Sequence, residues 1–433
     1  MKHPFQLVLL DKAGKHLFVT VKNLLYVFDV GSGKLIGSWI DEKSDDSREQ
    51  FANNSNVDLH DEETGAPSQE KKKARVDVAR VYVANNLTSS NNSKCGPGAP
   101  PVYNSIRGLT LSSTEKYLLG TTDYDKALVI FKIDFNESNC IKLIDRKGFP
   151  KRPCAITTTD DDCTVLVADK FGDVYEVKLK GHDGVDYIKD PILGHVSMLS
   201  SIIFVQAHGK KFIMTGDRDE HIRISNYPLS YVIKNFLFGH KQFISQLTVP
   251  SFNSSLLVSG GGDDFLCLWN WYQGVLHEKV DLRSWIEPYL NDTHFPPNAE
   301  NKSVKEISVT KILSLRRSKN LLIVLCENTS CILVFEVRDN LKTHHLQSLH
   351  ICSSVIDISV SESGLLAVSK DVDSNADSEL VEFFLLDETS TFRKDDKKTQ
   401  SNKMTESNFC NITDSLQLYP LYRVKSLRKR SEF

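Results

Sequence analysis

The feature that most constrains this chain is a unit of about 44 residues that occurs twice in succession. One copy begins at Gly239-His240, passes through the apolar run Leu256-Leu257-Val258-Ser259 and the turn Gly260-Gly261-Gly262-Asp263, and ends on Phe265-Leu266-Cys267-Leu268-Trp269. The other begins at Gly194-His195, passes through Phe212-Ile213-Met214-Thr215 and Gly216-Asp217-Arg218-Asp219, and reaches Ile222-Arg223-Ile224. The Gly-His pairs lie 45 residues apart, and the turn aspartates Asp219 and Asp263 lie 44 apart. Self-similarity at a fixed period of this length signals a repeat architecture.

Apolar residues alternate with period two along most of the chain, in short runs such as His16–Val21, Leu128–Ile133, Val165–Ala168 and Ile332–Val337. Long helical periodicity is missing, so the runs read as strands joined by Gly, Asp, Asn and Ser turns. In order and spacing the two units resemble WD repeats, and they predict an all-β, seven-bladed WD-repeat β-propeller. Asp125–Phe131 overlays Asp263–Trp269, with room for one degenerate blade at Val165–Val177. Lys22–Phe28 supplies blade one, Leu321–Val337 blade six and Val355–Leu386 blade seven. Residues 41–100, rich in Asp, Ser, Asn and Lys, and residues 388–413 have too few large apolar side chains to offset their ordering entropy, and are expected to be disordered inserts. The segment 416–433 is expected to be a C-terminal strand and basic tail. Either Leu7–Leu10 or Leu416–Val424 could close the ring by adding to the last sheet.

His240, Ser259 and Asp263 are the residue types of a hydrolase triad. In the WD pattern, however, His, Ser or Thr, Asp and Trp form an internal hydrogen-bond chain. That resemblance assigns His240, Ser259, Asp263 and Trp269 in one blade, and His195, Thr215 and Asp219 in the other, to a structural tetrad; Ser225 stands where the second Trp would be. Gly260–Gly262 and Gly31-Ser32-Gly33-Lys34 each precede a strand rather than a helix N-terminus, which removes the phosphate-loop reading. His344, His345, His350 and Cys352 lack the paired spacing of a zinc site. No enzyme signature, bound cofactor or metal is therefore expected in this chain.

Of 433 residues, 53 are Lys or Arg and 56 are Asp or Glu. A net charge of -3 offers no whole-molecule attraction to nucleic acid, so any such contact would need local basic patches at Lys71–Arg75, Arg146–Arg152 or Lys425–Arg430. Nine cysteines without a CxxC pair suit buried thiols in a reducing compartment. No apolar run approaches membrane-spanning length, so no membrane association is expected. Lys71–Arg75 has the composition of a nuclear import signal, with an ordinary charged loop as the alternative.

Four segments, Leu193–Leu199, Asp217–Ser225, Ala168–Tyr175 and Tyr419–Lys429, closely resemble the fungal WD-repeat subunit of the tRNA (guanine-N7)-methyltransferase. Gly98–Pro101, Lys151–Pro153, Leu237–His240 and Pro288–Asp292 extend the likeness. The resemblance implies a non-catalytic subunit of a heterodimer. A separate chain would bind S-adenosylmethionine and methylate N7 of a guanine in the tRNA variable loop, in the nucleus or alternatively the cytoplasm. In that family the basic residue at the position of Arg223 lies at the contact with the catalytic subunit. Arg223 is thus the first expected partner contact, facing outward by strand alternation, with Arg218, Glu220, Asp217 and Lys170 beside it. Lys151, Arg152, Lys425, Arg428 and Lys429 are expected to reach tRNA phosphates. A generic scaffold, in ribosome assembly or a ubiquitin ligase, is the competing reading.

Overall fold

A computed structural model describes residues 3–42, 103–179, 190–297, 304–371, 379–401 and 418–430. They form seven four-stranded antiparallel sheets, each from consecutive strands: β1–β4 over 7–40, β5–β8 over 106–148, β9–β12 over 153–194, β13–β16 over 199–237, β17–β20 over 244–281, β21–β24 over 309–350 and β25–β28 over 355–394. Within a blade the first strand is innermost, and each innermost strand packs against those of its two neighbours around a closed ring. Because neighbours cover both faces of every sheet, the middle strands are buried nearly end to end, as in β10 (Thr164–Asp169) and β18 (Leu256–Gly261).

Seven apolar clusters fill the seven gaps between adjacent blades. Leu257, Trp269 and Met214 pack between blades four and five, for example, and Phe5, Phe28 and Phe383 between blades seven and one. The seventh gap closes differently from the expectation that a terminal strand completes the last sheet. β1 (Leu7–Leu10) is instead the innermost strand of its own blade, and β28 (Phe392–Lys394) is the outermost strand of blade seven. Side chains lock the seam: Asp357 Oδ2 accepts Val8 N–H at 2.9 Å, Ser359 Oγ accepts Leu10 N–H at 2.9 Å, and Ser369 Oγ donates to Phe5 C=O at 2.6 Å. Asp357 Oδ1 also meets Lys311 Nζ of blade six at 2.9 Å, so one carboxylate ties three blades.

Two further expectations are corrected. Residues 388–401 are ordered, carrying β28 and a helical segment Asp396–Ser401, because Phe392 is buried against blade seven and its backbone pairs with Leu386. Residues 418–430 form no strand. They run as an extended strap with one 3-10 turn, Val424–Leu427. The inserted segment beyond Glu42, including Lys71–Arg75, and residues 402–413 lie outside the described residues.

The strap crosses one end of the ring. Its partners all lie in loops that precede a blade's first strand or follow its second: His3, Gln6, Ser105, Asp123, Gly262, Ile307, Glu327 and Asp371, with Arg218 and Asp219 at the far side. It begins where His3 Nε2 accepts the Tyr419 N–H at 3.0 Å, while His3 Nδ1–H donates to Pro4 C=O at 2.7 Å. Acceptance by Nε2 requires a neutral ring. Burial, against the pull of the Pro4 carbonyl and assisted by Lys22, lowers the His3 pKa to about 4.

Two outcomes follow for stability. Asp357→Ala strands the buried Val8 amide and the Lys311 ammonium, and is expected to cost about 3 kcal/mol, read from the urea midpoint at constant m-value. The unfolded state protonates His3 near pH 6.5 and the folded state only near 4, so this contribution is full above 6.5 and is lost as pH falls toward 4. Going from pH 7 to 5 should weaken the His3–Tyr419 junction by about 2 kcal/mol, seen as faster Tyr419 amide exchange after correction for intrinsic rates. His3→Gln should abolish that pH dependence.

Candidate functional site

Blade five carries the complete polar chain. Trp269 Nε1–H donates to Ser259 Oγ at 2.9 Å, Ser259 Oγ–H to His240 Nε2 at 2.7 Å, and His240 Nδ1–H to Asp263 Oδ2 at 2.8 Å. A carboxylate only accepts, which fixes the imidazole proton on Nδ1 and leaves the serine hydroxyl as a donor rather than a nucleophile. All four residues are buried and their polar atoms are mutually satisfied, so the set is a brace.

Blade four repeats the brace with a different aspartate from the expected one. Thr215 Oγ1 meets His195 Nε2 at 2.8 Å, and His195 Nδ1 meets Asp217 Oδ2 at 3.0 Å. Asp217 Oδ1 accepts the amides of Asp219 and His221 at 2.8 and 3.0 Å. Burial raises the Asp217 pKa, but these donors outweigh it and hold the carboxyl below its usual value. Asp217 follows Thr215 by two residues, whereas Asp263 follows Ser259 by four. Asp219, expected in the brace, instead accepts from Ser197 Oγ at 2.7 Å and pairs with Lys429 Nζ at 2.8 Å.

Arg223 does not face outward. It is buried, with Nε donating to Ser225 Oγ at 3.0 Å, Nη1 to Gly194 C=O at 2.9 Å and Nη2 to Ser230 C=O at 3.2 Å. Alternation does put it opposite Ile222 and Ile224 on β15 (Ile222–Tyr227), but Gly194, in the outermost strand of blade three, and the Ser230 loop cover that side too. Ser225, in place of a tryptophan, leaves room for the guanidinium. Burial lowers its pKa, and it forms no ion pair among the described residues.

Of the other expected contacts, Glu220 and Lys170 are exposed, while Arg218 Nε donates to Leu427 C=O at 2.8 Å and so anchors the strap. Lys151 Nζ lies 4.1 Å from the Phe171 ring centroid, and Arg152 Nε is 3.6 Å from Asp123. Arg428 is turned inward, donating to Gly262 and Ile307 carbonyls, while Lys425 and Lys429 are exposed on the strap. His345 stacks on Trp285 at 3.8 Å, and no group of three His, Cys, Asp or Glu among the described residues is placed to hold a metal ion. The seven described cysteines are all free, and no described helix is long and apolar enough to cross a membrane.

Two features escaped the sequence reading. The outer edge of blade four, β16 (Ile233–Leu237) and its flanking loops, exposes Leu229, Tyr231, Val232, Ile233, Phe236 and Phe238, with Phe236 and Phe238 stacked at 5.9 Å. The signal was present in the apolar density of Leu229–Phe238, but an outermost strand looks like any other in sequence. The second feature is Arg107 and Arg423, which converge with Arg152 on Asp123 from distant parts of the chain.

Seven four-stranded blades in a closed ring, one of them braced by a complete His-Ser-Asp-Trp chain, define a WD-repeat propeller. The chain belongs to the family described as the tRNA methyltransferase TRM82 WD40 domain, whose model matches residues 17–189 and 180–382. Relatives named "tRNA (guanine-N(7)-)-methyltransferase non-catalytic subunit TRM82" include those of Debaryomyces hansenii, 46% identical over 100% of both chains, and Meyerozyma guilliermondii, 45% identical over 100% of both. That of Saccharomyces cerevisiae is 34% identical over 99% of this chain and 98% of its own. Among solved structures, the RRP9 WD40 repeats superpose with a TM-score of 0.55 at 12% identity over 86% of this chain and 88% of that one, which is likeness of fold alone.

The reassigned brace predicts an asymmetric pair of variants. Asp217→Ala, which leaves His195 Nδ1 and the Asp219 and His221 amides without their acceptor, should cost about 2–3 kcal/mol in denaturant unfolding. Asp219→Ala should change it by less than about 0.5 kcal/mol.

Proposed function

We propose that this chain is the non-catalytic subunit of a two-chain tRNA (guanine-N7)-methyltransferase, holding a separate catalytic chain in its active form. The observation that carries this reading is end-to-end similarity: relatives bearing that name match across the full length of both chains, inserts included. S-adenosylmethionine belongs to the catalytic chain in this reading, and tRNA is engaged through the complex, in the nucleus or alternatively the cytoplasm.

The outer edge of blade four is the surface best suited to receive the catalytic chain. Tyr231, at 73% exposure, and Phe238, at 68%, flank Ile233 and Phe236 on β16, the outermost strand of the blade. A cluster of aromatic side chains on an open sheet edge has the composition of an interface centre rather than of a solvated rim. Glu220 and Lys170 are exposed near the adjoining blade-four and blade-three turns and supply charged surroundings. Arg223 supports this surface from inside by fixing the Ser230 loop that leads into it.

The test is co-purification and size exclusion with the catalytic chain. The double variant Tyr231→Glu, Phe236→Glu should weaken the complex at least about 100-fold, since aromatic anchors each contribute 2 kcal/mol or more, while circular dichroism stays unchanged. Arg223→Glu should instead unfold blade four. Deletion of the gene should abolish guanine-N7 methylation of tRNA, whereas recovery of a different assembly on pull-down would favour the scaffold reading.

A further inference from the structure

One carboxylate at the strap end of the ring faces three guanidinium groups. Asp123, buried in the turn after β6 (Tyr117–Thr122), lies 3.1 Å from Arg107 Nη1, 3.6 Å from Arg152 Nε and 3.7 Å from Arg423 Nη1. The three arginines come from β5 (Ile106–Leu111), from the loop before β9 (Pro153–Thr158) and from the strap. The balance within this cluster is two positive charges. Asp169, which shares the neighbourhood of Cys154 with Arg107 and Arg152, spends Oδ1 on the Phe171 and Asp173 amides and forms no ion pair among the described residues.

The donors are also under-used. Arg152 Nε and Asp123 Oδ1 are buried and face each other at 3.6 Å, outside hydrogen-bond distance and with no other hydrogen-bond partner, and Arg423 has only long bonds of 3.3 Å to Pro420 C=O and Ser105 Oγ. The arginine side chains keep 24%, 30% and 20% exposure for Arg107, Arg152 and Arg423, so the cluster is open to a ligand from solvent. Burial, together with Arg107 and Arg152, pushes the Arg423 pKa down to about 10, so it remains a cation at neutral pH but an incompletely compensated one. One arginine is enough to balance one carboxylate; two more cations in a half-buried recess favour a further anion beside them.

We infer that Arg107, Arg152 and Arg423 form a phosphate-binding site around Asp123, completed by the docked strap. Forked guanidinium donors from three directions match a tetrahedral oxyanion, whose several oxygens accept from all three, better than a second planar carboxylate. The ligand is a phosphate group, either free phosphate or a phosphate of an RNA backbone. The site is remote in sequence from the blade-four edge, and it stands or falls independently of the subunit assignment because it is tested on this chain alone.

The test uses the full-length chain and two probes, inorganic pyrophosphate and a short single-stranded RNA, titrated calorimetrically at several salt concentrations. Pyrophosphate should bind, Arg152→Gln and Arg423→Gln should each weaken it about tenfold, and Asp123→Asn, which removes the competing charge, should tighten it. That opposite sign separates a binding role from general loss of fold. An RNA backbone as the source predicts that each arginine variant lowers the log–log salt slope of RNA binding by about 0.7–1. Free phosphate as the source predicts variant-sensitive pyrophosphate binding with an unchanged RNA slope. Absence of pyrophosphate binding together with an unchanged RNA slope overturns the inference, as does weakening by all three variants alike. Pyrophosphate binding that is unchanged in both arginine variants likewise overturns it.

Discussion

Closure of the ring is the constraint on which everything else depends. Each sheet has two apolar faces and buries them only because a neighbour lies on each side, so seven apolar clusters exist only while seven gaps are closed. The seam between blades seven and one has no shared strand to hold it, and Asp357, Ser359 and Ser369 substitute side-chain hydrogen bonds for a ladder. These bonds are buried and fully made, which is where such bonds contribute most. With every inner strand committed to packing, recognition is left to the outer strands and to the loops at the two ends.

The strap reinforces the same closure from outside. It ties residues near the N-terminus to blades two, four, five, six and seven through backbone and side-chain bonds. Glu327, buried, accepts the Val424 and Lys425 amides at 2.5 and 2.6 Å. Desolvation raises the Glu327 pKa, offset in part by those amides and by Lys425. A basic tail that looks from sequence like a free arm is thus partly spent on structure. Arg428 and Arg430 are held by Glu306, and Arg218 is held by Leu427. Lys425, Lys429 and Arg430 keep exposed charges, of which Lys429 already has Asp219 and Arg430 has Glu306.

How much was legible follows from which interactions are local. Gly-His, Ser and Trp at fixed offsets describe hydrogen bonds inside one blade, so the propeller, its blade count and the blade-five brace could be read directly. Asp217 could not be chosen over Asp219, because both stand in the turn and the choice depends on which carboxylate reaches His195. Arg223 was misplaced for a related reason: alternation gives the side of a strand, but not whether the neighbouring blade's outer strand, 29 residues upstream, covers that side. The closing seam, the strap and the Asp123 cluster depend on contacts between residues more than 300 apart in places, and no periodicity encodes those.

The departures from the repeat are themselves ordered around the ring. Blade five has the whole brace. Blade four keeps His195 and Thr215, moves the aspartate and fills the tryptophan site with Ser225 and Arg223. Blade three goes further: Phe149, following Gly148, stands where His195 and His240 stand, and Asp169 retains its turn amides while Oδ2 has no hydrogen-bond partner. Val167 replaces the hydroxyl residue, and apolar packing of Phe149, Val167 and Tyr175 replaces the polar chain. A brace serves one blade only, so its loss can be offset locally by packing, and the residues released from the pattern become available for other roles. The exposed aromatic edge belongs to blade four, and Arg152 leads into blade three. Local rules are relaxed in the blades that carry the exposed aromatic edge and follow the Arg152 loop, and are kept in blade five.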